Sequence, residues 1–130
     1  LGTIPVIPGF FSLSYVENPG AAWGMLAGKQ FFLIAFSLVT LGFLLIKRRE
    51  LFGALWGGTV TLSLIAGGVI GNLIDRVRIN VVIDFLDFFW GRAHFPAFNI
   101  ADSAICVGVF LFIATQWHHD KTREKLGVRS

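Results

Sequence analysis

The chain has 130 residues, of which 55% are hydrophobic and only 15% charged, with a mean hydropathy of +0.71. A soluble domain carries roughly a quarter charged residues, so the composition argues against a water-soluble globule, and the length suits one domain. The formal net charge of +3 is gathered at Lys47-Arg48-Arg49 and at Lys121, Arg123, Lys125 and Arg129. A nucleic-acid surface would instead spread basic residues along a polar face, and none is expected as a partner.

The chain opens on Leu1 rather than Met and shows no cleavable signal pattern, so a missing leading piece as large as a helix is expected. Residues 3–17 hold two Pro, a Gly and β-favouring residues, which predicts short extended pieces. A bilayer core takes about 20 mostly apolar residues as helix. Three stretches qualify: Phe31 to Ile46, extended toward Met25; Leu51 to Ile74; and Ile100 to Trp117. Lys47-Arg48-Arg49-Glu50 leaves room only for a tight hairpin between the first two. Within the second span, Gly67 and Gly71, like Gly53 and Gly57, are spaced for close helix approach.

Between the second and third spans, residues 79–90 (INVVIDFLDFFW) begin with β-branched residues and end in aromatics. A short strand leading into an interfacial helix is expected, with Asp84 and Asp87 on one helical face. The basic loop after the first span and the basic tail fall on one side of the membrane. The positive-inside rule makes that side cytoplasmic and puts residues 1–30 and 75–99 outside. Trp23, Trp56, Trp90 and Trp117 fall near span ends, where interfacial Trp belongs. The fold class expected is therefore an all-α polytopic membrane protein with three visible spans, a small extracytoplasmic β-structure and a short interfacial helix.

Polar residues collect at the outer ends of the spans: Asn72, Asp75, Asp84, Asn99 and Asp102. Asp75 precedes Arg76, which reads as an ion pair favouring the charged carboxylate. Asn99 is a favoured N-cap with an acid three residues on, so capping alone could account for Asn99 and Asp102. Asp102 nevertheless enters an apolar helix, where an ionisable group is costly and a functional candidate. Asp84 interrupts an apolar run with no adjacent cation, and desolvation pushes its carboxyl toward the protonated form. An acid kept neutral beside one that ionises is what aspartic hydrolysis requires.

Other chemistries lack their parts. There is no H-E-x-x-H, and His118 and His119 sit at the solvated end of the last span, so neither metal nor cofactor is expected. Ser63 and Ser103 have no evident base, Lys29 being in another segment. The lone Cys106 excludes an internal disulfide and reads as a buried thiol. A non-enzymatic alternative is a small proton- or cation-relay transporter, or a structural membrane subunit, using Asp75, Asp84 and Asp102.

Four blocks carry a resemblance: Asn18-Pro19-Gly20-Ala21-Ala22-Trp23-Gly24; Gly67 to Arg76, with its G-N-x-x-D-R; Val82-Ile83-Asp84-Phe85-Leu86-Asp87; and Phe95 to Asp102, with its F-N-x-A-D. Together they resemble the bacterial lipoprotein signal peptidases, the type II signal peptidases. The resemblance implies an aspartyl endopeptidase of the inner membrane that cuts diacylglyceryl-modified prolipoproteins before the lipidated cysteine. It implies Asp84 and Asp102 as the catalytic pair, with Asn18, Asn72, Asp75, Arg76 and Asn99 as substrate-binding or supporting positions. It also implies lipid-modified prolipoprotein and membrane lipid as partners, a monomer, and a site on the extracytoplasmic face. The family has four spans against the three visible here, so residues 1–130 read as a single membrane-embedded peptidase domain without its first helix. Trp23 stands where the family usually has Phe.

Overall fold

The computed structural model describes residues 2–21 and 24–128; Trp23 and Arg129 lie outside them. In chain order the elements are β1 (Ile4–Ile7), β2 (Phe11–Asn18), α1 (Gln30–Ile46), α2 (Arg48–Phe52), α3 (Gly58–Ile79), β3 (Val82–Trp90), β4 (Ala93–His94) and α4 (Ile100–Lys125). The protein is thus mixed, not all-α, because the outer segments pair with one another as a sheet.

Among the described residues two helices, α3 and α4, are long and apolar enough to cross a membrane. At 1.5 Å per residue α3 is about 33 Å long, the thickness of a bilayer core. The expected first span is shorter: α1 has 17 residues. It does not extend back toward Met25, because Leu26 and Gly28 take left-handed backbone angles in the turn before it. The second span begins at Gly58 rather than Leu51; Leu51 and Phe52 close the separate helix α2, and Gly57 at φ +69° turns the chain into α3. At its far end α3 runs past Ile74 to Ile79 and is capped by Asn80 in the left-handed region.

The helices bury little against one another. Leu44, Phe52, Leu55 and Ile65 form a small core near the basic end, with Phe112 edge-on to Phe52 at 5.3 Å. Large apolar side chains such as Phe31, Val39, Phe110 and Ile113 point outward. Helices hydrophobic on all sides belong in lipid. Cys106 is on this outward side of α4 and is exposed, so the buried thiol expected for it is not found.

Close packing of α3 on α4 uses Gly68, Gly71 and Gly108. A Cβ on Gly68 would run into the Ala101 carbonyl and meet Ile105 Cγ1 at 2.5 Å; one on Gly71 would meet Ala101 Cβ at 3.1 Å. Gly67 faces open space, and Gly53 and Gly57 serve the turn before α3. Of the four expected packing glycines, only Gly71 packs helix on helix.

The sheet is antiparallel in the order β1-β2-β3-β4. Residues 82–90 form one continuous strand, with no interfacial helix, because Val82, Ile83 and the aromatic run all favour extended backbone. Gly91 at φ +60° starts the return through β4. The chain then lies back along β3: Leu86 N–H donates to the Phe98 carbonyl at 2.9 Å and Phe98 N–H to the Leu86 carbonyl at 3.2 Å. This return delivers Asn99 to the start of α4. Chain connectivity places the sheet, the end of α3 and the start of α4 at one end of the helices, and Lys47, α2 and the basic end of α4 at the other.

Candidate active site

Alternation along β3 separates its two acids. Asp84 is on the inner face and 2% exposed, while Asp87 is on the opposite face with Ser14 and His94, whose Nδ1 is 2.8 Å from Asp87 Oδ1. The shared helical face expected for them does not exist, since strand side chains alternate.

Asn18 reaches Asp84 across the β2–β3 ladder. Val16 pairs with Asp84 and Asn18 with Val82, so Asn18 is the diagonal neighbour of Asp84 on the same face. Its Nδ2 donates to Asp84 Oδ2 at 3.0 Å and to the Ala21 carbonyl at 3.2 Å. Gly20 N–H donates to Asn18 Oδ1 at 3.0 Å, which fixes the direction of the amide.

The other carboxylate enters through a helix cap. Asn99 is the N-cap of α4, accepting from Asp102 N–H at 2.8 Å, and Asp102 Oδ2 accepts from Asn99 N–H at 3.2 Å. This is the capping box expected from the sequence. The cap leaves the Asn99 amide nitrogen free to work elsewhere. Asn99 Nδ2 donates to Asp84 Oδ1 at 3.1 Å and to Asn72 Oδ1 at 2.9 Å, and Asn72 Nδ2 donates to Asp102 Oδ1 at 2.8 Å. Asp84 and Asp102 are therefore joined through two asparagine amides, from β3 to α4 by way of α3.

Burial pushes the Asp84 carboxyl above the ordinary carboxylate range. The hydrogen bond from Asn18 opposes this, the negative charge of Asp102 adds to it, and Asn99 and Arg76 oppose it more weakly. Asp84 thus stays protonated to higher pH than a free aspartate and can donate a proton where a reacting atom needs one.

Arg76 and Asp75 diverge. Successive helix residues point about 100° apart, and the expected ion pair between them is not formed. Arg76 Nη2 donates to the Gly20 carbonyl at 3.2 Å, holding the turn that carries Asn18. Asp75 Oδ2 accepts from Ile83 N–H at 3.4 Å and borders a cavity of about 270 Å³ between α3, β3 and α4. All seven expected site residues thus gather at one end of the helices, and five of them, Asn18, Asn72, Asp84, Asn99 and Asp102, form one run of side-chain hydrogen bonds. The carbonyls of Gly20 and Ala21 belong to the same network, as acceptors from Arg76 and Asn18; both residues stand in the first motif block, with no side chain to mark the role.

The serines are occupied otherwise. Ser63 Oγ donates to the Thr59 carbonyl at 2.7 Å and Ser103 Oγ to the Asn99 carbonyl at 3.0 Å, both within helical turns. Neither is hydrogen-bonded to a basic side chain, and Lys29 sits at the N-cap of α1.

Comparisons with known proteins identify the family. The profile of the signal peptidase (SPase) II family matches residues 1–118. The chain is 48% identical over 125 residues to the lipoprotein signal peptidase of Geobacter metallireducens, covering 94% of this chain and 76% of that protein. It is 49% identical over 117 residues to the lipoprotein signal peptidase of Syntrophotalea carbinolica, covering 88% and 73%. A bacterial membrane enzyme solved by the in meso method at 2.3 Å resolution superposes with a TM-score of 0.76 at 35% identity, covering 93% of this chain and 74% of that one. With the profile spanning nearly the whole chain and the polar residues of its motif blocks meeting at one site, the chain belongs to the signal peptidase II family.

Proposed function

We propose that the protein is an aspartic endopeptidase that removes the signal peptide from diacylglyceryl-modified prolipoproteins, cutting before the lipidated cysteine. The observation that carries this reading is the bridge between Asp84 and Asp102 through Asn99 and Asn72. Two carboxyls held together in a mostly buried setting can divide the work of hydrolysis. Asp102 takes a proton from the attacking water while Asp84, kept neutral to higher pH by burial, donates its own to the scissile carbonyl oxygen. As the C–N bond breaks, the proton held by Asp102 passes to the leaving nitrogen and Asp84 regains one from a hydroxyl of the gem-diol. Asn18, Asn72, Asp75, Arg76 and Asn99 hold the pair and line the approach of the substrate.

In this reading the chain is a single membrane-embedded domain, a monomer in the bacterial inner membrane with surrounding lipid as its other partner. The sheet end faces outward, since Lys47, Arg48, Arg49 and the basic end of α4 lie at the opposite end. The substrate arrives by lateral diffusion in the outer leaflet. A proton or cation relay would need acids spread through the bilayer depth, whereas Asp75, Asp84 and Asp102 are all at the sheet end.

The test is release of signal peptide from a diacylglyceryl-modified prolipoprotein by the detergent-solubilised protein. Wild type should cleave, and Asp84→Asn and Asp102→Asn should each lose cleavage while keeping their helical circular dichroism. Turnover retained by a purified, folded Asp84→Asn variant would sink the assignment.

A further inference from the structure

The turn that carries Asn18 is secured by contacts that involve neither aspartate. Pro19 has no N–H to offer, so its carbonyl is the one main-chain hydrogen-bonding group of that residue. That carbonyl accepts twice, from Gly28 N–H at 3.2 Å and from Gln30 Nε2 at 2.5 Å. Gln30 is the first residue of α1, so the contact ties the turn to the start of that helix. Its other amide atom, Oε1, is buried with no partner. A carbonyl can only accept, so Nε2 must face Pro19 and the amide cannot be turned over to relieve the buried oxygen. The unmet oxygen is the cost of keeping Nε2 on Pro19.

The geometry points to Gln30 as a positioning residue for cleavage: by clamping the Pro19 carbonyl it holds the Asn18 amide on Asp84. This rests on the aspartic reading above. Pro19 adjoins Asn18 directly, Gly20 N–H orients the Asn18 side chain, and Arg76 holds Gly20 from α3. Gln30 supplies the corresponding hold from α1. The groups around Asp84 are Asn18 from β2, Arg76 from α3, and Asn99 and Asp102 from α4. Gln30 touches none of the carboxyls, so it acts through the turn.

The test uses the full chain labelled with ¹³C at the aspartate carboxyls, with the Asp84 resonance identified by its loss in Asp84→Asn. Wild type, Gln30→Leu, Asn18→Ala and the double variant are titrated by NMR and assayed for cleavage. Position 30 opens a helix, where Leu is well tolerated; Gln30→Glu, which keeps the size but loses the donor, serves as the second variant. Loss of the Asn18 hydrogen bond should move the Asp84 midpoint upward. Gln30→Leu and Gln30→Glu should move it in that same direction, and the double variant should match Asn18→Ala alone. In cleavage, kcat should fall about ten- to a hundredfold, as expected for misaligned catalytic groups, with KM little changed. An unmoved midpoint in folded Gln30→Leu, or additive shifts in the double variant, would overturn the proposal. Absence of cleavage by wild type would count against the peptidase reading, while the Asp84 titration would still decide the role of Gln30.

Discussion

Asn18 shares a sheet face with Asp84 because of one extra residue in β2. Leu13 pairs with Leu86 and Val16 with Asp84, so two residues, Ser14 and Tyr15, stand opposite Phe85 alone. Continued without that bulge, the first register would pair Tyr15 with Asp84 and bring Glu17, in place of Asn18, onto its diagonal. A one-residue slip moves every following side chain to the other face. The bulge therefore puts an amide donor beside the buried acid where a second carboxylate would otherwise stand.

Register, not strand length, should then govern activity. Deleting Tyr15 regularises the ladder yet leaves Val16 opposite Asp84 and Asn18 on its diagonal, so cleavage should persist. Inserting one alanine between Val16 and Glu17 moves Asn18 to the other face, and cleavage should fall as far as in Asn18→Ala. Signal-peptide release by the two variants, each with its circular dichroism, checks this. Equal losses in both would show that register is not the cause.

The Asp84 carboxyl gives stability an unusual pH dependence. Its folded value is raised, chiefly by burial. Its contribution is therefore fully present below the unfolded carboxylate value and is lost as pH rises through the folded one. Asp84→Asn carries no titrating group and lacks that loss. The difference in Tm between Asp84→Asn and wild type should shift in favour of the variant as pH rises out of the carboxylate range, then level off. A difference independent of pH would contradict the burial argument.

Helix packing supplies a third prediction. Gly68 lies against the Ala101 carbonyl and Ile105, beside the residues that open α4, whereas Gly67 faces open space. Gly68→Ala should destabilise by about 1–3 kcal/mol, the usual cost of overpacking, and should lower cleavage by displacing Asn99 and Asp102. Gly67→Ala should be neutral or stabilising by up to about 1 kcal/mol through helix propensity. Thermal unfolding in detergent separates the two.

The contrast between Gly67 and Gly68 also shows what was legible in the sequence. A spacing of four marked a packing stripe, but which glycine meets α4 depends on helix rotation, which spacing does not encode. The outer asparagines and aspartates stood out because polar residues are conspicuous in apolar surroundings. Their connections did not, since these depend on the bulge at Ser14 and Tyr15 and on a cap that also bridges to another helix. In residues 79–90 the expected interfacial helix is absent: Asp84 and Asp87, three apart, suit a helical face, but sheet pairing with β2 decides the matter. Cys106 is exposed where burial is expected, because the burial preference of cysteine in soluble proteins does not distinguish a protein core from lipid.

Asn99 does two jobs, and substitution can separate them. Its Oδ1 caps α4 by accepting from Asp102 N–H, while its Nδ2 joins Asp84 to Asn72. Asn99→Ala loses both and should cost about 1 kcal/mol for the cap alone. Asn99→Ser and Asn99→Asp retain a capping oxygen and so should recover most of that stability. Neither supplies the amide donor to Asp84, and Asn99→Asp adds a carboxylate beside two others. If the bridge matters for cleavage, both should be as inactive as Asn99→Ala, although Asn99→Ser keeps its cap. Asn99→Asp should also raise the Asp84 midpoint further than Asn99→Ser, because a neighbouring negative charge disfavours ionisation. Substantial cleavage by a stable Asn99→Ser protein would mean that the cap, not the amide bridge, is what the reaction requires.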